Sequence, residues 1–224
     1  MKQLIPLFLL LLVGGCQGGS KPAETTPVAA EETYTLGDYR PSHVASTIAL
    51  KYKDKEVHVG DKSEDTYEKL LDGRTGGFVS ELLPKGLKSP YTAHIWQGAD
   101  DAFGVISYEG KAVVAMVQEM RTNQEHANNV RTAHQDLMGS DLPQIVAGEK
   151  VTYYFWEKDL ADQQSQRLMI MVFQNRDNVF LTTAIGDARV MDVLAMSPAK
   201  ARDDQVAADE ILRTREAGAN AAKK

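Results

Sequence analysis

The chain has 224 residues, 43% of them hydrophobic, a formal charge of -6 and a single cysteine. That length suits one or two ordinary domains, and one cysteine excludes an internal disulfide, so the fold rests on its core alone. The acidic balance argues against nucleic acid as a partner.

Lys2 gives a short basic head, Leu4 to Val13 form an apolar run interrupted only by Pro6, and Gly14 and Gly15 precede Cys16. A basic start, a short apolar stretch and small residues at a cleavage point describe a signal peptide over residues 1–15. The run is too short to span a bilayer, which takes about 20 apolar residues. Val13-Gly14-Gly15-Cys16 resembles the lipobox of bacterial lipoproteins. The resemblance implies that Cys16 is acylated, becomes the new N-terminus and anchors the chain to a lipid bilayer, its thiol being the nucleophile for lipid transfer. A plain secretory signal with a chance cysteine is the competing reading. By analogy with enterobacterial sorting, Gln17 in place of an aspartate points to the outer membrane, facing the periplasm.

Residues 16–33 hold Gly18, Gly19, Ser20, Pro22 and Pro27 among scattered Thr, Ala and Glu, and offer nothing for a core. They read as a lipidated flexible tether with a reach on the order of 20 Å. Order is expected from about Tyr34 and firmly by Val44. Ser46 to Tyr52 predicts a strand, with Glu56 to Val59 its continuation or partner. Ser63 is placed to cap a helix carrying Tyr67, Leu70 and Leu71 on one face, and Gly73 ends it. Arg74 to Gly77 reads as a flexible connector leading to Leu82-Leu83-Pro84. Tyr91 to Trp96, Phe103 to Tyr108 and Ala112 to Gln118 then predict an antiparallel meander, with a polar loop before Phe103 and a tight turn at Glu109-Gly110.

The pattern comes a second time. Ala127, Val130, Ala133 and Leu137 make the apolar stripe of a helix from Glu125 to Met138, and Gly139 ends it. Leu142-Pro143 follows, then strands at Val151 to Trp156, Leu168 to Phe173 and Val179 to Ile185, with a polar loop from Glu157 to Gln166. Helix, Leu-Pro, aromatic strand, acidic loop, strand, turn, strand: this order predicts an internal duplication of units of roughly sixty residues. Chance similarity of two α+β segments is the alternative. The units span 34–123 and 124–197, and 198–224 is expected to be a C-terminal helix and tail. Asp187 is placed to cap a short helix after the last strand, which Pro198 interrupts.

At Val59-Gly60 and the helix after it, the sequence resembles the BamE/SmpA family of small outer-membrane lipoproteins, in which a glycine-led turn and short amphipathic helix precede a three-stranded meander. Two such units in tandem are similar to the architecture of the β-lactamase inhibitory protein. Together these imply an α+β fold: one sheet built by two helix-plus-meander units, helices on one face and the other face open; the C-terminal helix expected here, and the longer helix-to-strand connection of the first unit, depart from that architecture. No partner contact carries over, because no residue here matches one.

Enzyme signatures are missing: no Gly-x-Ser-x-Gly, no phosphate loop with Lys-Ser/Thr, no His-Glu-x-x-His and no Cys-His pairing. Nothing in the pattern calls for a cofactor or metal. His126 and His134 lie about 80 degrees apart around one helix, a poor metal pair, and read as solvated histidines. Asp100-Asp101 and Asp159 with Asp162 read as solubilising loop tips. The aromatic strands carry the recognition hypothesis. Alternation places His94 with Trp96, and Tyr154 with Trp156, on single faces. If that face is open, Trp96, Trp156, His94 and Tyr154 form a partner-binding surface; if both faces are covered, the tryptophans are core. The function expected is a non-enzymatic, membrane-anchored module that binds an unidentified envelope protein. A periplasmic ligand-binding or sensor module is the alternative.

Overall fold

The computed structural model describes residues 36–42, 48–160, 162, 164–175 and 178–207. Cys16, the signal segment, the tether, His43, Val44 and the chain after residue 207 lie outside the described residues. The fold is α+β. A two-stranded hairpin, β1 (Ala49–Tyr52) and β2 (Lys55–His58), leads into α1 (Ser63–Leu71). Eight further strands build one antiparallel sheet: β3 (Phe78–Ser80), β4 (Tyr91–Gln97), β5 (Asp101–Tyr108), β6 (Lys111–Thr122), β7 (Gln144–Ala147), β8 (Val151–Asp159), β9 (Ser165–Asn175) and β10 (Asn178–Asp187). Helix α2 (Gln124–Met138) joins β6 to β7, and α3 (Ala188–Val193) follows β10. A further helix, α4, covers 198–207.

The strand order is β3-β4-β5-β6-β10-β9-β8-β7. Each half of the chain thus lays down four strands as a meander, and the last strands, β6 and β10, pair at the centre, from Val114↔Gly186 to Thr122↔Val179. The pattern predicted three strands per half. The fourth, β3 or β7, is a short edge strand, too brief for its alternation to register. Leu83-Pro84 lies after β3, whereas Leu142-Pro143 lies before β7, so these two dipeptides are not equivalent. The predicted loop at Glu157 to Gln166 is also much shorter, because β8 runs to Asp159 and β9 begins at Ser165 with Asp159 opposite Ser165.

Helix α2 starts on a side-chain cap, for the Asn123 side chain accepts from the His126 amide. Helix α1 does not, since Lys62 occupies the cap position without a side-chain cap and Ser63 is already its first, buried residue. Asp187 caps α3 through the Val190 amide at 3.0 Å. Pro198 opens α4 rather than only interrupting a helix, where its missing N–H costs nothing. Ser197 accepts from the Lys200 amide at 3.1 Å there.

Two apolar layers flank the sheet. On one face α1, α2 and the β1–β2 hairpin cover Trp96, Phe103, Val117, Trp156, Ile170 and Leu181. On the other, the 36–42 segment, the Leu83 to Leu87 stretch, α3 and α4 cover Tyr91, Ile95, Met116, Phe155, Met169 and Ala184. The expectation of helices on one face and an open second face is therefore overturned. Arg167 on β9 is one physical reason. Its buried guanidinium donates to Asp192 at 2.6 Å, Glu157 at 3.0 Å and the Ala188 and Met196 carbonyls, fastening α3 and the chain just after it onto the sheet.

Candidate functional site

Trp96 and Trp156 do lie on one face of the sheet, but that face is the one under α1 and α2. They are 5% and 2% exposed. The proposed open aromatic surface is corrected accordingly: both indoles are core, because each face of the sheet has its own cover. The Trp96 indole N–H donates to the Gly76 carbonyl at 2.8 Å, and that of Trp156 donates to the Asp141 carbonyl at 3.2 Å. Each thereby satisfies a backbone group in the turn after its unit's helix. The Trp96 ring stacks on Phe103 at 5.3 Å and presses on two glycines. A Cβ at Gly77, whose φ is +85°, would meet the indole at 2.7 Å, and one at Gly98 would meet it at 2.5 Å. The Arg74 to Gly77 connector is thus a fitted part of the core wall.

Arg74 organises the polar rim of this wall. Its guanidinium donates to the Leu70 carbonyl and, at 3.1 Å, to the Leu71 carbonyl, satisfying the C-terminal end of α1. It also donates to the Tyr52 hydroxyl at 3.1 Å and pairs with Asp101 at 3.3 Å. Tyr52 in turn donates to Asp101 at 2.6 Å. Burial, then the bond to Asp101, pushes the Tyr52 phenol well above its ordinary range, so it stays a donor. Asp101 is accordingly a strand residue in a network and not a solubilising loop tip, whereas the exposed Asp100 carboxylate pairs with the exposed Arg121.

His94 and Tyr154 keep partial exposure and stand next to the two sheet edges. His94 lies 3.8 Å from Glu81 and packs on the Tyr67 ring at 5.7 Å. Tyr154 faces Ile145 of β7 across the ladder and has Arg131 over its ring at 5.6 Å. Neither joins the tryptophans in a shared open surface. The edges themselves are apolar. On β3, Phe78 and Val79 are 62% and 54% exposed, and Leu82 just beyond is 79% exposed. Leu142 and Ile145 are exposed at the β7 edge.

His126 is exposed and bonds Glu119 at 2.7 Å, but His134 is buried and corrects the solvated reading. Its Nδ1 donates to the Val130 carbonyl at 2.8 Å while Nε2 accepts from the Lys51 amide at 3.2 Å, the pattern of a neutral ring tying α2 to β1. Burial lowers its pKa. Among the described residues no group of three His, Cys, Asp or Glu side chains gathers as for a metal.

The sequence pattern passed over a second site. A cleft of about 570 Å³ opens where the 36–40 segment and the 86–90 turn meet the start of β4. Tyr39, Tyr91, Tyr108 and Pro90 line it, with Arg40 and Lys88 also in its walls. The Tyr91 and Tyr108 rings lie 5.0 Å apart, and the Arg189 guanidinium sits 4.8 Å over the Tyr39 ring. Tyr39 donates to the buried Asp187 carboxylate at 2.5 Å. Burial raises the Asp187 carboxyl above its ordinary range, against the bonds from Tyr39 and the Val190 amide that favour the ionised form. Tyr91 is only 7% exposed, and its hydroxyl has no hydrogen-bond partner among the described residues. Three tyrosines separated by up to 69 positions give no local signal, so only the fold assembles them.

No family model, curated protein or solved structure matches the chain. Among the described residues no helix is long and apolar enough to cross a membrane.

Proposed function

We propose that the chain is a lipid-anchored envelope protein, held to a bilayer through acylated Cys16, whose α+β domain binds another envelope protein without catalysing a reaction. The domain is read as two tandem copies of one helix-and-meander unit, an arrangement similar to that of the β-lactamase inhibitory protein with each unit resembling the BamE/SmpA family. The shared element order supports this, as does the equal role of Trp96 and Trp156 in their halves.

The observation that carries the binding role is the free edge at β3. A sheet edge offers unpaired backbone donors and acceptors, and natural proteins ordinarily blunt such edges with charge, proline or a covering element. Here the edge carries Phe78 and Val79 with Leu82 beyond, all exposed. Glu81 and His94 form its polar border. An apolar edge bordered by polar groups is suited to adding a strand from a partner, where backbone bonds give affinity and alternate side chains give specificity. The tether lets the domain reach such a partner from its bilayer.

A photo-crosslinking residue at Val79, expressed in intact cells, tests this. The expected result is one discrete adduct, absent when the crosslinker stands at exposed Lys158 on the far half and reduced by Phe78→Ser. No adduct at Val79, or the same adducts at both positions, sinks the protein-binding reading. The anchor is checked separately with a palmitate analogue, which should label the wild type and leave Cys16→Ser unlabelled. Each buried CH₂ contributes about 0.8 kcal/mol, so acylation by two or more chains gives stable attachment.

A further inference from the structure

We propose that the tyrosine-walled cleft at the start of β4 is a binding site for a small planar organic anion. It is independent of the β3 edge: β3 pairs with Ile95 to Gln97, at the opposite end of β4 from Tyr91.

Size, shape and charge each contribute. About 570 Å³ falls within the range of natural small-molecule sites and accommodates a ligand of one or two fused rings. Tyr39, Tyr91, Tyr108 and Pro90 offer flat apolar walls, against which an aromatic ligand stacks in offset or tilted geometry.

The sign of the ligand follows from the charges around it. Arg40 and Lys88 outnumber Asp38 in the walls. Asp187 lies behind Tyr39, and its carboxylate is already held by the Tyr39 hydroxyl and the Val190 amide. A cationic ligand would meet Arg40 and Lys88 unfavourably, while an anionic group on the ligand's outer end meets both attractively. The Tyr39 ring, which already carries the Arg189 guanidinium on one side, holds the 36–40 segment as the cleft's outer wall.

The test uses the full chain and two matched fluorescent probes, 8-anilinonaphthalene-1-sulfonate and the uncharged N-phenyl-1-naphthylamine. The sulfonate is expected to fill one saturable site on the native protein and to bind more tightly than its uncharged analogue. Lys88→Glu, on an exposed turn where packing is not at stake, should weaken it about threefold or more, with the difference shrinking as salt is raised. Phe78→Ser at the β3 edge should leave binding unchanged. Absence of saturable binding overturns the proposal. So does equal affinity for the uncharged probe, or binding that is lost with Phe78→Ser and unaffected by Lys88→Glu.

Discussion

Trp96 and Trp156, sixty positions apart in the chain, make the same hydrogen bond in the two halves of the sheet. Each indole N–H closes the turn that follows its own half's helix, on the Gly76 carbonyl in one case and the Asp141 carbonyl in the other. Each tryptophan therefore does two jobs, filling the layer beneath its helix and fixing where the chain leaves that helix.

Truncating either indole removes both. Trp96→Ala and Trp156→Ala are each expected to cost about 3 to 5 kcal/mol, the usual range for emptying a buried aromatic site. Urea unfolding of the two variants measures it. Gly77→Ala should also destabilise, because its φ is +85° and the new methyl meets the Trp96 ring. A Gly77→Ala variant with unchanged midpoint would show that the connector does not need its observed path.

The Arg74 network gives a second expectation. Arg74→Ala leaves Asp101, the Tyr52 hydroxyl and the last carbonyls of α1 with fewer partners at once. About 1 to 3 kcal/mol of stability should go, more than an exposed ion pair is worth. Asp101→Asn should cost less, since an amide oxygen still accepts from Tyr52. A double-mutant cycle of Arg74 with Asp101 should show coupling, and strict additivity would mean that the two act separately.

His134 predicts how stability varies with acidity. Its folded pKa lies below the ordinary 6.5 because burial disfavours the charged ring. Below pH 6.5 the unfolded chain therefore takes up a proton that the folded ring resists, and stability falls as pH falls through that window. The contribution is fully present above pH 6.5. His134→Gln, which keeps a donor and an acceptor but cannot titrate, should flatten this part of a denaturant-midpoint profile between pH 5 and 7.5. A profile identical to the wild type would assign the dependence to other groups.

The central β6–β10 pairing argues that the halves do not fold apart. A chain ending at Asn123 would leave β6, twelve residues long, as a bare apolar edge where β10 belongs. It would also lose α2, which meets the β1 strand through His134. Such a chain should aggregate or remain unfolded in a circular-dichroism melt. A monomeric, cooperatively melting half would show two separate domains.

Local chemistry is written in the sequence and was legible there. The α+β class, both long helices, the meanders, the glycine at the end of α2 and the Asp187 cap follow from periodicity and cap residues, which act within a few positions. The common face of Trp96 and Trp156 also follows, since strand alternation and the repeat spacing fix it. Whether the opposite face stays open was settled only by tertiary packing. Two alternating strand faces look alike until the segments before β1 and after β10 fold back over the second of them, where Arg167 holds the stretch after β10 through contacts that span up to 29 positions. His134 was misread for the same reason. It takes its place in the buried stripe of α2 because the Val130 carbonyl and the Lys51 amide satisfy both ring nitrogens, and one of those partners lies 83 positions away. The cleft of Tyr39, Tyr91 and Tyr108 is purely a product of the fold, for no periodic pattern links residues that meet only when three separate segments converge.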